Sequence, residues 1–84
     1  MEEIKKLIGS EKLIIGQDET LKAARKGELK KVFLALNVSK EIQDDIEYYA
    51  KIAGFKVEKL SKNSEDIGIF LKKPYFISVL SEKK

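Results

Sequence analysis

The chain folds around residues 16–27, which read G-Q-D-E-T-L-K-A-A-R-K-G. The apolar run L-I-I at residues 13–15 enters this stretch and predicts a short strand that is covered on both faces. Gly16 is suited to a tight turn, after which a helix should begin near Gln17 or Asp18. Gly27 is typical of the residue that follows a helix end. Such a strand-to-helix turn presents a helix N-terminus, a carboxylate and a lysine together, and binding residues in α/β folds often gather there.

The helix predicted after Gly16 has an apolar side and a charged side. Leu21 and Ala24 mark the side that we expect to be buried. The opposite side carries Asp18, Lys22, Arg25 and Lys26. The spacing of Asp18 and Lys22 suits an ordinary ion pair on a solvated helix, so a purely structural role is one interpretation of this side.

The composition excludes most enzyme chemistries. At 84 residues the chain is one domain, and its formal net charge of +3 with a pI near 9.1 permits an anionic partner without requiring one. The absence of Cys and His removes disulfides, thiolate nucleophiles, imidazole bases and nearly all zinc or haem sites. The acidic residues lack calcium-loop spacing. We therefore expect a protein that is not an enzyme and needs no metal or other cofactor.

No segment has the pattern of a membrane anchor or a secretion signal. No apolar run approaches the roughly 20 residues that span a bilayer. The N-terminus M-E-E-I-K-K is not followed by the long apolar core of a secretory signal. We expect a cytoplasmic protein in a reducing compartment, with no membrane partner. The high content of Lys, Glu and Ile with a single Met hints at a thermophilic source.

Helices and strands are predicted to alternate along the whole chain. The hydrophobic pattern predicts helices at residues 1–8, 17–26, 40–53 and about 64–71, and strands at residues 13–15, 32–36, 56–60 and 75–80, followed by a frayed tail at residues 81–84. The strand at 32–36 should be central, and the alternating strand at 56–60 should lie near an edge. This order predicts an α/β fold, a three-layer α/β/α sandwich in which helices cover both faces of a four-stranded sheet.

Local signals mark the last two helices. Ser39 should cap the helix at 40–53, and Gly54 should end it with Phe55 packed back over the last turn. Asn63 or Ser64 should cap the following helix, which Pro74 cannot extend. The apolar residues expected on the inner sides of these two helices are Ile42, Ile46, Tyr49, Ala50 and Ala53, and Ile67, Phe70 and Leu71.

Four stretches together resemble one protein family. They are I-I-G-Q-D-E-T-L-K at residues 14–22, V-F-L-A-L-N at 32–37, D-D-I-E-Y-Y-A-K-I-A-G at 44–54, and D-I-G-I-F-L-K-K-P-Y-F-I-S-V-L at 66–80. In this order and spacing they are similar to the superfamily of small ribosomal and kink-turn RNA-binding proteins of the L-seven-Ae and L-thirty-e type, closer to the L-thirty-e branch. The resemblance implies that residues 1–84 form a single RNA-binding domain with a four-stranded mixed sheet.

The resemblance also implies which residues contact RNA. The family pattern G-x-N-E-x-x-K falls on Gly16, Asp18, Glu19 and Lys22, with Gln17 in the same turn. Glu19 would accept hydrogen bonds from a guanine Watson–Crick edge, and Lys22 would donate to guanine O6 or N7. Gly16 would let the backbone approach the nucleic acid closely.

Further RNA-facing positions lie outside this turn. Arg25 and Lys26 would neutralise phosphates, and Asn37 matches a polar contact after the second strand. The loop that contains Lys72 and Lys73 matches a second RNA-facing loop, in which basic groups and the ring of Tyr75 would be useful. For Tyr75, packing in the core and stacking on a base are equally compatible with the pattern.

Two residues depart from the family pattern. Kink-turn binders usually have Asn where this chain has Asp18, and an ionised Asp only accepts hydrogen bonds and repels phosphate. The family also tends to have Gly where this chain has Lys72, so a glycine-specific loop conformation is in question while a positive charge is gained.

The leading hypothesis is a monomeric, non-enzymatic RNA-binding protein. Its partner would be a kink-turn or related internal loop, in ribosomal RNA, with other ribonucleoprotein proteins as further partners. The alternative is a paralogue of the same fold that binds a protein at the same end of the sheet and RNA only weakly. Three features are expected to be structural: Lys30 and Lys31 would flank a buried strand, Tyr48 would be partly exposed, and an acidic cluster would face solvent. That cluster comprises Asp44, Asp45 and Glu47.

Overall fold

The computed structural model describes residues 2–84, and four helices alternate with four strands along this part of the chain. The elements are α1 (Glu2–Leu7), β1 (Leu13–Ile15), α2 (Gln17–Arg25), β2 (Leu29–Leu34), α3 (Lys40–Ala53), β3 (Lys56–Lys59), α4 (Ser64–Phe70) and β4 (Val79–Lys83). The predicted order of elements is therefore confirmed, whereas the predicted helical start at Met1 lies outside the described residues. None of the helices described is both long and apolar enough to cross a membrane.

The four strands form one mixed sheet in the order β1-β4-β2-β3. β2 and β3 are parallel, and β4 is antiparallel to both of its neighbours, β1 and β2. The prediction that the apolar strand around Val32 is central is confirmed, and so is the prediction that the alternating strand around Val57 lies at an edge.

Helices cover both faces of this sheet, so the predicted three-layer α/β/α sandwich is confirmed. On one face, Ala24 of α2 and Ile46 of α3 pack against Val32 in a first core cluster. On the other face, Ile4 of α1 and Ile67 of α4 join a second cluster. Strand β1 contributes to both clusters although it is short: Ile14 packs against the first, and Leu13 and Ile15 pack against the second.

The predicted helix ends are largely confirmed. The Ser39 hydroxyl accepts a hydrogen bond from the Ile42 N–H at 3.3 Å, and the Asn63 side chain, not Ser64, caps α4 by accepting from the Asp66 N–H at 2.9 Å. Gly54 follows α3, and Phe55 is buried in the first core cluster. These caps satisfy backbone donors that the helices leave unpaired.

The last strand differs most from the prediction. It runs over Val79–Lys83, so the expected strand at 75–80 begins too early and the expected frayed tail at 81–84 is wrong. Long-range pairing is the reason: Ser81 lies opposite Ile14 on one side and Val32 on the other, and its hydroxyl forms a fully buried hydrogen bond of 3.0 Å with the Thr20 hydroxyl. The residues before Val79 form a loop instead, in which Phe76 is exposed.

Three smaller corrections follow from the packing. β2 begins at Leu29 and ends at Leu34, and Leu36, expected in the strand, is exposed. The buried side of α2 is formed by Thr20, Ala23 and Ala24, with Leu21 only half-buried, because small side chains let the helix lie close to the sheet. Ile8, the last residue of the helix predicted at 1–8, lies beyond the end of α1 and is exposed.

Candidate functional site

One end of the sheet collects the connections that the sequence singled out. Ile15 pairs with Leu80, and Leu34 pairs with both Val79 and Lys59. Strands β1, β2 and β3 therefore all end where β4 begins. We call this the loop end of the sheet. The turn after β1, the residues after β2 and the loop before β4 meet there.

Gly16 makes the turn from β1 into α2. Its backbone angles, φ 109° and ψ 154°, lie in a region that is essentially restricted to glycine. Its N–H donates to the Val79 carbonyl at 2.9 Å, which ties the turn to β4. Gly16 has no side chain with which to cap α2, and the space beside its Cα is open. The first N–H groups of α2 are consequently available to a group that approaches from outside.

A crevice of about 310 Å³ joins this turn to the loop before β4. Its lining includes Gly16, Gln17, Ile42, Tyr75 and Phe76. Tyr75 is 53% exposed, which places its ring on the surface and not in the core. The structure thus brings together three of the predicted site residues, Gly16, Gln17 and Tyr75.

The crevice also includes residues that the sequence analysis missed. Phe76 is 71% exposed and shares a second hollow of about 200 Å³ with Lys73, Tyr75 and the exposed Ile69. Phe76 was assigned to a strand, where alternation would have buried every second side chain. The one usable signal was Pro74 followed by two aromatic residues, which is compatible with a surface loop as well as with a strand start.

Asp18, Glu19 and Lys22 lie on the outer surface of α2, next to the turn. With Leu21 and Arg25 they line a groove of about 270 Å³. Lys22 Nζ is 3.7 Å from a carboxylate oxygen of Glu19, so its ion pair is with Glu19 and not with Asp18 as the spacing suggested. Both side chains are about two-thirds exposed, and such a pair contributes little to stability. It is therefore easily exchanged for other partners.

Arg25 and Lys26 lie at the far end of α2. Because α2 has nine residues, Arg25 and Lys26 lie about 12–14 Å from the loop end along the helix axis. The Arg25 Nε donates to the Tyr49 hydroxyl at 3.4 Å, and the guanidinium lies 6.0 Å from the centre of that ring. The hydrogen bond raises the pKa of Arg25 above its ordinary value. Lys26 borders another groove, of about 260 Å³, with Lys22 and Lys83. The structure therefore does not bring Arg25 and Lys26 into the crevice.

Asn37 lies at the loop end and is held by α4. Its side-chain oxygen accepts from the Ser64 N–H at 2.8 Å, and its amide nitrogen donates to the Ser64 hydroxyl at 3.3 Å. The side chain joins the end of β2 to the start of α4, and this fixes the position of both.

Lys72 and Lys73 are exposed in the turn after α4. Lys72 has φ 58°, so the left-handed conformation expected of a glycine at this position is kept by a lysine. Gly68, one turn earlier, is buried, and a Cβ there would overlap the backbone carbonyl of Tyr75. The absence of that Cβ lets α4 lie directly against the loop that carries Tyr75.

The remaining charged residues singled out from the sequence are separate from the crevice. Lys31 is bound by Glu3 at 2.9 Å and Glu58 at 2.8 Å, and Lys30 lies 3.7 Å from Glu82. The acidic cluster around Asp45 on α3 is exposed, as expected. Across residues 2–84, no group of three or more acidic side chains is arranged to hold a metal ion.

Comparison with known proteins places this architecture in a family. Over residues 1–84 the chain matches the family described as "Ribosomal protein L7Ae/L30e/S12e/Gadd45 family". It is 40% identical over 79 residues to the "Large ribosomal subunit protein eL30" of Pyrobaculum neutrophilum, covering 94% of this chain and 78% of that protein. The protein of the same name from Methanocaldococcus jannaschii is 32% identical, with 92% and 70% covered.

A solved structure shares the fold. A protein with unknown function from Bacillus halodurans superposes with a TM-score of 0.80 at 17% identity, over 92% of this chain and 76% of that one. At this identity the likeness shows the fold alone, whereas the sequence matches extend over nearly the whole chain. The chain therefore belongs to the ribosomal protein L7Ae/L30e/S12e/Gadd45 family, within its L30e branch.

Proposed function

We propose that this chain is a non-enzymatic RNA-binding component of the ribosome or of another ribonucleoprotein, and that it recognises a kink-turn or a related internal loop with sheared G·A pairs. Its relatives are named as proteins of the large ribosomal subunit, a structural and not a catalytic class. The observation that supports the proposal most is the crevice at the loop end, whose lining includes both the exposed Tyr75 and the Gly16 turn.

The chemistry of the loop end suits irregular RNA. An unstacked base would lie against the ring of Tyr75 or Phe76, since aromatic side chains stack on any base. Glu19 would accept from the donors of a guanine Watson–Crick edge, and Lys22 would donate to guanine O6 or N7 once their mutual ion pair is exchanged. In a regular A-form helix the Watson–Crick edge of guanine is paired, and its O6 and N7 lie in a deep, narrow major groove. An internal loop is therefore the better RNA partner.

Electrostatics would position the RNA on the remaining surface. Lys72 and Lys73 beside the crevice would neutralise phosphates, and Arg25 and Lys26 would do so further along α2. Asp18 contributes a carboxylate at the turn. This carboxylate would accept a hydrogen bond from an RNA donor such as an exocyclic amine, and it would repel a phosphate group. We further propose that the chain acts as a monomer in the cytoplasm, with ribosomal RNA and neighbouring ribonucleoprotein proteins as its partners.

The alternative is a protein-binding module that uses the same loop end. The exposed apolar side chains Ile69, Tyr75 and Phe76, together with the carboxylates of Asp18 and Glu19, favour it. Exposed apolar side chains that lie close together are also typical of a surface that binds a protein partner.

A binding titration distinguishes the two functions. The purified protein is titrated with a kink-turn RNA and with a control RNA in which Watson–Crick pairs replace the tandem G·A pairs, each at two salt concentrations. RNA recognition predicts tight binding of the first RNA and weak, strongly salt-dependent binding of the second. Equal and weak binding of both would reject structure-specific recognition and favour the protein-binding alternative.

Lys22 provides the matching test of the site. We expect Lys22→Ala to weaken kink-turn binding by about 1–3 kcal/mol, because a base-edge contact is lost. Lys51→Ala is the control, since Lys51 is an exposed lysine in the last turn of α3, away from the loop end. Both variants remove one positive charge, so equal affinities for the two would show that Lys22 contributes only its charge.

A further inference from the structure

We propose that the outer face of α3 is a docking surface for an arginine-rich polypeptide segment of another protein. This surface, the acidic face of α3, consists of Glu41, Asp44, Asp45, Tyr48 and Ile52. Their spacing of three, four and seven residues puts all five on one side of the helix. That side is opposite the stripe that packs on the sheet, of which Ile46 is the buried centre.

The apolar part of this face is open to solvent. Tyr48 is 62% exposed and Ile52 is 67% exposed, one helical turn apart. The Tyr48 ring is held edge-on against the ring of Tyr49, with 5.5 Å between their centres. A large aromatic ring that is already ordered loses little conformational freedom on binding, and tyrosine is enriched among residues that dominate binding energy.

The charge on this face determines which partner it fits. α3 carries four carboxylates and two lysines, although the whole chain has 17 Lys and Arg against 14 Asp and Glu. No basic residue lies between Lys40 and Lys51, and Lys51, three residues after Tyr48 and seven after Asp44, borders the face at its C-terminal end. Within the described residues, none of the four α3 carboxylates forms an ion pair, whereas Glu3, Glu28 and Glu58 elsewhere do.

These charges exclude two other occupants. RNA phosphates would be repelled by the carboxylates, which disfavours RNA as the occupant of this face. A second copy of the chain, packed face to face, would oppose like charges. An arginine-rich segment can bind both kinds of group on this surface. Guanidinium groups bind carboxylates in bidentate fashion, and a guanidinium also stacks on a tyrosine ring.

The size of the face points to a segment and not to a folded domain. Fourteen residues make a helix about 21 Å long, which an extended segment of about six or seven residues would follow from end to end. An interface of this size is below that of stable independent complexes, so it would act together with other contacts in a ribonucleoprotein.

The test is an NMR titration of the ¹⁵N-labelled full chain with a synthetic peptide of alternating arginine and leucine, about seven residues long. The matched control peptide has citrulline in place of each arginine, which keeps the shape and removes the charge. We expect amide shifts confined to α3 with the arginine peptide and none with the citrulline peptide. No shift at millimolar arginine peptide, or shifts spread over every acidic surface, would overturn the proposal.

Variants separate this surface from general charge attraction. Tyr48→Ala with Ile52→Ala should weaken the peptide by about tenfold or more, because the apolar anchor is lost, while the affinity for kink-turn RNA is unchanged. Asp44→Asn with Asp45→Asn should also weaken it. The control is Glu65→Gln with Asp66→Asn, which removes two exposed carboxylates from the first turn of α4 and should leave the peptide affinity unchanged. Equal losses in the two charge variants would contradict a specific surface.

Discussion

At the scale of single residues, Lys72 shows how a side chain can occupy a position that suits glycine. Its φ of 58° lies in the left-handed region, where a Cβ approaches the following carbonyl. The conformation is imposed by the end of α4, where the Lys72 N–H donates to the Ile69 carbonyl at 3.0 Å and the Lys73 N–H donates to the Gly68 carbonyl at 2.9 Å. The bond from the Lys73 N–H requires the left-handed conformation of Lys72, which turns the chain back over the end of the helix.

Replacement of Lys72 should therefore change stability and RNA binding in opposite directions. We expect Lys72→Gly to raise the free energy of unfolding by about 0.5–1 kcal/mol, because the gain from relieving the backbone strain exceeds the cost of a more flexible unfolded chain. Affinity for RNA should fall modestly through the lost charge. Urea unfolding measures the first effect, with Lys73→Gly as the control. A destabilised Lys72→Gly would mean that the left-handed conformation carries no strain.

At the scale of elements, one lysine links α1 to two strands of the sheet, in addition to the buried packing of Ile4. Lys31 Nζ, on a side chain that is 16% exposed, reaches Glu3 of α1 and Glu58 of β3, and it lies 5.1 Å from the centre of the Phe33 ring. The hydrogen bonds to Glu58 and Glu3 raise the pKa of Lys31 above 10.5, and the hydrogen bond to Lys31 lowers the pKa of Glu3 below 4.5.

The directions of these shifts predict a pH window for the attachment. The contribution of Lys31 is fully present below its unfolded pKa of 10.5 and is lost as the pH rises through the raised value. The contribution of Glu3 is present above 4.5 and is lost as the pH falls through the lowered value. Wild type should therefore exceed Lys31→Met in unfolding free energy at neutral pH, and the difference should shrink in strong acid and strong base. Urea unfolding across pH measures it; a difference independent of pH would assign the effect to packing alone.

β4 is the second element whose role can be tested by removal. It is hydrogen-bonded on both sides, and Ser81 is completely buried. Deletion of residues 81–84 should cost more than about 4–5 kcal/mol and leave the chain unfolded, because pairing with both β1 and β2 is lost. Deletion of Lys84 alone is the control and should lower the free energy of unfolding only slightly. Far-UV circular dichroism and thermal unfolding report both, and a folded chain after the larger deletion would contradict the central place of β4.

At the scale of the whole molecule, charge is divided between surfaces. Lys22 on α2 and Lys72 and Lys73 in the turn after α4 are exposed near the loop end, whereas the middle of α3 carries a run of carboxylates with no lysine between Lys40 and Lys51. A phosphate backbone would be attracted to the first region and repelled by the second, so the distribution orients an RNA before any base is read. Net charge alone, at +3, could not distinguish this arrangement from a uniform surface.

Replacement of Lys26, at the C-terminal end of α2, and of Lys22, within α2, should affect RNA binding differently. Lys26→Ala should weaken kink-turn and control RNA alike, and should reduce the slope of log affinity against log salt by about one, because one phosphate contact is lost. Lys22→Ala should weaken mainly the kink-turn RNA. Titrations at several salt concentrations measure both slopes. A Lys26→Ala variant that discriminates between the RNAs would place Lys26 at a base and not at a phosphate.

Local sequence signals were sufficient for the element order, the layers and the helix caps, and the resemblance of four ordered stretches indicated the family. Hydrophobic periodicity and capping residues such as Ser39 act over three to seven neighbouring residues, so they can be recognised without the fold. The same signals indicate the Gly16 turn and the exposed side of α2 with Lys22, whereas Glu19 and the RNA contacts come from the family resemblance, and those contacts stay a prediction.

Contacts between residues distant in sequence determine the position of β4 and the exposure of the loop before it. Ser81 was assigned to a tail because a serine followed by charged residues has no local reason to be buried, yet the hydroxyl of Thr20, 61 residues away, satisfies it inside the sheet. Phe76 was assigned to a strand, and the pairing of β4 with β1 and β2 leaves it on the surface instead. Burial and strand register depend on which surfaces meet, and that is a property of the assembled sheet and not of any short stretch of chain.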